Sequence, residues 1–76
     1  MLVESINLKT NDDTRVTLSI QKECSYVDTK RGIMLKVPIK DNARDNYLNK
    51  IFNISFIDKY MYIPVGCIKS LKINGQ

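Results

Sequence analysis

Hydrophobic and polar residues alternate along much of the chain, and this period of two predicts β-strands that are buried on one face. The clearest example is one long strand over residues 14–27. The apolar residues on one of its faces are Val16, Leu18, Ile20, Cys24 and Tyr26. Lys22 falls on the same face, so we expect a bend or β-bulge near Lys22 that lets the strand join two sheets.

Polar turns before and after this long strand predict two hairpins. Asn11-Asp12-Asp13 is a three-residue loop of the kind that follows a type I turn. The pairs predicted from it are Leu8 with Val16 and Ile6 with Leu18. Asp28-Thr29-Lys30-Arg31, followed by Gly32, predicts a four-residue turn. The pairs predicted from this second turn are Tyr26 with Ile33, Cys24 with Leu35 and Ile20 with Ile39.

A third hairpin follows from a two-residue turn at Asp58-Lys59. Its predicted core pairs are Phe56 with Met61, Ile54 with Ile63 and Phe52 with Val65. The residues predicted for the opposite face, which we expect to be partly solvated, are Asn53, Ser55, Ile57, Tyr60, Tyr62 and Pro64. A register shift of one residue would exchange the two faces, which the hydrophobic pattern opposes.

The segment between the third and fourth predicted strands is polar and rich in Asn. Asp41 or Asn42 could cap a helix there, and Asn42 with Asp45 resembles a capping box. Asn is a poor helix former, so we expect only one short helix or turn around residues 42–49.

These elements predict a mostly β fold, either a small barrel of five to six strands or a strongly bent antiparallel sheet. With 43% hydrophobic and 26% charged residues among 76, the composition is ordinary for one small globular domain, residues 1–76. A chain of this length buries only about 60% of the surface that its unfolded form exposes. Binding on an outer surface is therefore favoured over catalysis in a deep cleft.

The segment from Tyr62 to Leu71 resembles the closing part of Src-homology-type β-barrels. In those barrels a strand ends in an aliphatic-Pro pair, one helical turn follows, and an aliphatic residue then begins the last strand. Ile63, Pro64 and Ile68 fit that spacing, and Leu71 fits the last strand. The resemblance covers ten of the 76 residues and implies a small Src-homology-type barrel.

The peptide groove of that family is not carried over with the barrel. In the family, proline-rich peptides bind between the Pro of this segment, a Tyr three residues later, a Trp and an aromatic-rich N-terminal motif. Here Cys67 stands at the Tyr position, Gly66 stands where Asn is usual, and the chain has no Trp. The resemblance therefore implies the barrel and not its ligand.

The commonest general base of enzymes is missing from the chain. There is no His, so neither a Ser-His nor a Cys-His pair can form. We interpret Cys24 and Cys67 as reduced, partly buried residues, because the single bridge that they could form is too little for a disulfide scaffold. Two separated Cys without His also do not supply the four ligands of structural zinc. The three glycines stand apart and form no phosphate-binding loop. We expect a protein that is not an enzyme, with no catalytic residues, metal site or cofactor.

The sequence gives no indication of export or of a membrane span. The opening Met1-Leu2-Val3-Glu4 has an acid where a secretory signal carries basic residues. The longest apolar runs are far shorter than the about 18 to 20 residues that a membrane helix needs. We expect a cytoplasmic protein without a membrane partner.

A protein-interaction module is the first functional hypothesis. Ile57, Tyr60 and Tyr62 form the predicted outer patch, and exposed tyrosines are enriched at interaction hot spots. Alternatively, the short helix around Tyr47 covers this patch and makes it a second layer of core. The size and composition would also suit an accessory protein of a phage or mobile element that blocks a host protein, although no residue demonstrates this.

Nucleic-acid binding by a small β-barrel is the alternative hypothesis. Twelve Lys and Arg against eight Asp and Glu give a net charge of +4. The candidate phosphate-binding residues are Arg15, Lys30, Arg31, Lys36, Lys69 and Lys72. The acids are interspersed among the bases, which favours a solvated surface over a phosphate track. A third hypothesis is self-association through an exposed edge strand, for which we expect the first or the last strand.

Overall fold

The computed structural model describes residues 1–39 and 52–74, most of which lie in β-strands. The strands are β1 (Leu2–Lys9), β2 (Arg15–Glu23), β3 (Ser25–Thr29), β4 (Gly32–Pro38), β5 (Ser55–Ile57), β6 (Tyr60–Pro64) and β7 (Ile68–Ile73). They form a three-stranded antiparallel sheet in the order β2-β1-β7 and a four-stranded one in the order β3-β4-β6-β5, not a closed barrel. The mostly β class is confirmed, while the helix or turn predicted at residues 42–49 lies outside the described residues.

The first hairpin has the predicted register. Ile6 pairs with Leu18 and Leu8 pairs with Val16. In the loop, Asp13 takes a positive φ of 68°, as expected for a type I turn followed by a left-handed residue. The Asp12 carboxylate accepts hydrogen bonds from the Thr10 hydroxyl and the Thr14 backbone N–H. These bonds, with that of the Thr10 hydroxyl the strongest, lower the pKa of Asp12 from its usual 3.8.

The predicted bend near Lys22 is confirmed. Val3 pairs with Lys22 but Ser5 pairs with Ser19, so the strand opposite β1 carries an extra residue. Gln21, within this bulge, has a φ of 55°. The long predicted strand then divides at Cys24, with β2 in one sheet and β3 in the other. This division raises the strand number above the expected five to six, to seven in the described residues.

The register predicted for the second hairpin is wrong by two residues. Tyr26 pairs with Leu35 instead of Ile33, and Thr29 pairs with Gly32, so the turn contains only Lys30 and Arg31. The other two predicted pairs are also absent, because Cys24 lies between strands and Ile20 belongs to the other sheet. The Thr29 hydroxyl closes the shorter turn by donating to the Gly32 carbonyl at 2.8 Å and accepting from the Arg31 N–H at 3.1 Å.

The third hairpin is confirmed near its turn and wrong further away. Phe56 pairs with Met61 across the Asp58-Lys59 turn. The strand β5 contains only three residues, and Asn53, with a φ of 54°, directs the preceding chain away from the strand direction. Ile54 is buried but precedes β5, so it forms no strand pair with Ile63. The predicted pair of Phe52 with Val65 is absent, since Phe52 is buried and Val65 is exposed in a 3-10 turn.

The chain returns to the three-stranded sheet through a tight corner. The strand β6 ends at Pro64, one 3-10 turn covers Val65–Cys67, and β7 begins at Ile68. This is the local order that the sequence pattern predicts for the closing segment. Leu71 pairs with Ile6, so the last described strand lies against the first.

The inward residues of both sheets and the segment before β5 share one hydrophobic core. Its buried members are Val3, Ile6, Leu8, Cys24, Leu35, Val37, Phe52, Ile54, Met61 and Ile63. Because the two sheets share this core, their outward faces point in different directions. One of those faces is polar and the other is largely apolar.

An apolar, positively charged face on the four-stranded sheet

The outward face of the four-stranded sheet carries the three residues predicted for the outer patch, Ile57, Tyr60 and Tyr62. The strand pairs place one set of alternate side chains on this face. We call these residues the tyrosine face: Val27, Met34, Lys36, Pro38, Ser55, Ile57, Tyr60, Tyr62 and Pro64. The alternating partners on the inward side include Leu35, Val37, Met61 and Ile63, which are buried in the core.

The structure brings together the three residues predicted to bind a protein. Ile57 on β5 pairs directly with Tyr60 on β6, and Tyr62 follows two residues later on the same face. The rings of Tyr60 and Tyr62 are tilted at 53° with their centroids 6.5 Å apart. Ile57 is 56% exposed, whereas both tyrosines are half-buried. The three side chains therefore form one continuous patch.

Lys36 adds a positive charge to this patch. It lies on β4 opposite Tyr62, and its Nζ is 4.1 Å from the centroid of the Tyr60 ring. An ammonium at this distance is attracted to the negative face of an aromatic ring. Lys36 therefore contacts the tyrosine pair, although the sequence predicts it as a phosphate-binding residue.

A groove of about 320 Å³ opens in the tyrosine face. It is bordered by Met34, Ser55, Ile57 and Tyr62. Thr29 at the end of β3 and the turn residues Lys30 and Arg31 complete the border. Met34 is only 5% exposed although it lies on the outward side of β4. Met34 is not among the site residues predicted from the sequence. Its burial is indicated by the consecutive apolar run Ile33-Met34-Leu35, which is typical of a strand buried on both sides.

The charged residues that border the groove, Lys30 and Arg31, are both basic. Among the described residues, Lys30, Arg31 and Lys36 form no ion pair with a carboxylate. No described member of the tyrosine face is acidic. The carboxylate of Asp58 belongs to the turn at the opposite end of the sheet from Lys30 and Arg31. The groove is therefore apolar with a cationic border.

The other three basic candidates lie on the three-stranded sheet. Arg15 and Lys69 border a separate cavity of about 290 Å³. The Lys72 ammonium is 3.6 Å from the Glu4 carboxylate, so its charge is partly neutralised. The six basic residues predicted for nucleic-acid binding thus divide into two groups of three on different sheets.

The outward face of the three-stranded sheet is polar where the tyrosine face is apolar. The Thr17 hydroxyl donates to Asn7 Oδ1 at 2.7 Å, and Asn7 Nδ2 donates to the Ser70 hydroxyl at 2.9 Å. These bonds form a ladder across β2, β1 and β7. Polar groups already bonded to one another gain little from a new partner, so this face is the weaker candidate for a binding surface.

Both cysteines are free and carry neutral thiols. The Cys24 thiol donates to the Lys22 carbonyl at 3.4 Å, and the Cys67 thiol donates to the Phe52 carbonyl at 3.3 Å. Burial raises the pKa of each thiol above its usual 9.0. Cys67 borders a cavity of about 540 Å³ between the β1–β2 loop and the 3-10 turn, but a raised pKa disfavours the reactive thiolate.

Comparison with models of protein families, with curated proteins and with solved structures finds no match. Within residues 1–39 and 52–74, no cluster of His, Cys, Asp or Glu could hold a metal ion. The same residues contain no helix that is long and apolar enough to cross a membrane.

Proposed function

We propose that this protein is a small, non-catalytic interaction module that binds another protein through the tyrosine face. The observation that carries the proposal is the meeting of exposed Ile57 with the Tyr60–Tyr62 pair beside a groove. Tyrosines supply large contact area with few rotatable bonds, and an aliphatic neighbour adds surface that water leaves on binding.

Nucleic-acid binding is the second candidate, and the position of Lys30 and Arg31 beside Tyr62 favours it. Single-stranded nucleic acid binds to basic grooves that contain stacking aromatic rings. Two observations weigh against this candidate. The Lys36 ammonium occupies one face of the Tyr60 ring, and the other three candidate bases, Arg15, Lys69 and Lys72, lie on the three-stranded sheet.

We also propose that the fold is related to the Src-homology-type barrel. Two corners support this relation, because the chain passes from one sheet to the other at Cys24 and again at Val65–Cys67. The prediction that the first strand could be a self-association edge is wrong. The first strand, β1, is paired on both sides and offers no free edge, whereas β7 is at the border of its sheet in the described residues.

A pair of matched variants tests the proposed function. Ile57→Asp places a charge on the tyrosine face, and Ile33→Asp places the same charge at a site of almost equal exposure, 57%, on the other side of β4. We expect a protein captured from the source cell by the wild type and by Ile33→Asp to be lost with Ile57→Asp. Equal capture by all three proteins would contradict the proposal.

The same variants also test nucleic-acid binding, and sedimentation tests self-association. Labelled single- and double-stranded oligonucleotides are titrated at several salt concentrations, and binding that weakens linearly in log salt and is lost with Ile57→Asp would favour nucleic acid. Sedimentation velocity at several protein concentrations checks association through β7. A mass that stays monomeric at every concentration would exclude it.

A further inference from the structure

We propose that the tyrosine face binds an extended protein segment with one large apolar side chain flanked on each side by a carboxylate. This inference rests on the proposed function and specifies the chemistry of its partner. In an extended segment every second side chain points the same way. The predicted recognition pattern is therefore acid, any residue, apolar, any residue, acid.

The size of the groove sets the apolar part of this pattern. Ligand pockets in proteins span about 300–1,000 Å³, so the groove volume of about 320 Å³ lies at the small end of this range and suits one large side chain of an extended segment. Met34 lines the groove, and its unbranched thioether adapts to apolar groups of different shape. A Leu, Ile, Met or Phe side chain fits these walls.

The positions of the cations set the acidic part of the pattern. Along β4, Met34 and Lys36 are alternate residues on the same face, roughly 7 Å apart. Lys30 and Arg31 lie in the turn that precedes β4, on the opposite side of Met34 from Lys36. Positive charge therefore lies on both sides of Met34: Lys30 and Arg31 border the groove, and Lys36 lies beside it on the same face. Within the described residues, none of these three cations forms an ion pair with a carboxylate.

Other occupants fit these observations less well. A second copy of this chain would bring like charges together, because the net charge is +4 and the border of the groove is cationic. A nucleic-acid backbone would satisfy the cations but would cover the apolar walls beside Met34 and Ile57 with phosphate and sugar. Only a segment with both charged and apolar side chains complements both parts of the surface.

The test is a selection of random linear peptides displayed on phage against four proteins: the wild type, Ile57→Asp, a double variant of the border, and a matched control. The border variant is Lys30→Glu with Arg31→Glu. The control is Arg15→Glu with Lys69→Glu, which makes the same change of net charge on the three-stranded sheet. All substituted side chains are exposed, and circular dichroism and thermal unfolding confirm that each variant is folded.

We expect the wild type and the control to select peptides with the acid and apolar pattern. Synthetic labelled copies of these peptides should bind the border variant about tenfold more weakly, since two favourable charge contacts become unfavourable. Selection against the border variant should yield peptides with fewer acids and the same apolar residue. Ile57→Asp should select none of these sequences.

Each remaining outcome overturns the inference, and the outcomes differ in what they leave standing. Peptides that require Ile57 but are neutral or basic, or that bind the border variant as tightly as the wild type, would contradict the acidic pattern and leave the proposed function intact. Peptides that ignore Ile57→Asp, or a selection that yields none, would contradict both. Salt-dependent binding of oligo(dT) that is lost with Ile57→Asp would assign the face to nucleic acid instead.

Discussion

The Nζ of Lys36 lies 4.1 Å from the centre of the Tyr60 ring, although the two residues are not a direct cross-strand pair. Lys36 is paired with Tyr62 and Tyr60 with Pro38, so the cation reaches diagonally along the sheet. This diagonal contact holds the ring of Tyr60 in a fixed position from one side. The tyrosine face is therefore partly ordered before any partner arrives, which lowers the entropy lost on binding.

A double-mutant cycle measures this contact. Lys36→Met keeps most of the aliphatic stem and removes the charge, and Tyr60→Leu removes the ring. We expect a coupling free energy of about 0.5–1 kcal/mol in urea unfolding, which is typical of a cation over an aromatic ring at a partly exposed site. The control cycle combines Tyr60→Leu with Lys30→Met, and it should show no coupling. Equal coupling in the two cycles would argue against a specific contact.

Truncation of Leu35 compared with Ile33 tests the difference in burial between two alternate positions of β4. Both residues have the same parity on β4, but Leu35 is 0% exposed and Ile33 is largely solvated. Leu35→Ala should lower the free energy of unfolding by about 2–5 kcal/mol, because it leaves a cavity in the core. Ile33→Ala should lower it by less than about 1 kcal/mol. Similar losses of unfolding free energy for Leu35→Ala and Ile33→Ala in chemical denaturation would contradict this difference in burial.

The positive φ of Gln21 predicts an unusual response to glycine. Gln has a Cβ that disfavours its φ of 55°, and glycine does not. Gln21→Gly should therefore be neutral or raise the free energy of unfolding by up to about 1 kcal/mol. Ser19→Gly, two residues earlier in the same strand without a positive φ, should lower it by about 0.5–1 kcal/mol. Thermal unfolding of both variants checks this, and losses of the same size would contradict the bulge.

The two thiols predict a loss of stability in alkaline solution. Burial raises the pKa of Cys24 and Cys67 above 9.0 in the folded protein, whereas the unfolded chain keeps values near 9.0. Between these values the unfolded chain has released protons that the folded protein retains, so the free energy of unfolding falls as pH rises. Below 9.0 both states hold these protons and the effect vanishes.

A double variant isolates this effect from the other groups that titrate at high pH. Cys24→Ala with Cys67→Ala should lose less stability than the wild type when urea unfolding is compared at about pH 8 and about pH 10. The Lys and Tyr contributions cancel in the difference between the two proteins. Identical pH dependence would show that the thiols ionise equally in both states.

The sequence predicts faces more securely than it predicts pairs. In the second hairpin the predicted and observed registers differ by two residues, and a shift of two leaves every side chain on its original face. Alternation alone cannot distinguish these registers. The decision comes from the Thr29 hydroxyl, which closes a two-residue turn in place of the predicted four-residue one. In the first hairpin the loop chemistry and the alternation agree, and the register is confirmed.

The candidate site shows the same limit. The common face of Ile57, Tyr60 and Tyr62 follows from a two-residue turn and alternation, so the sequence predicts it. The approach of Lys30, Arg31 and Lys36 to that face depends on β4 lying beside β6, a contact between strands distant in the sequence. Sequence pattern alone groups these cations with Arg15, Lys69 and Lys72, from which the fold separates them.

The two corners at Cys24 and Val65–Cys67 mean that the three-stranded sheet is not formed by a continuous stretch of chain. The three-stranded sheet takes β1 and β2 from the first part of the sequence and β7 from the last, and the other sheet is formed by the strands between them. Because both sheets also share one hydrophobic core, we expect their backbone amides to share one opening transition. A partner seated on the tyrosine face would consequently slow hydrogen exchange in β1 as well, on the far side of the core.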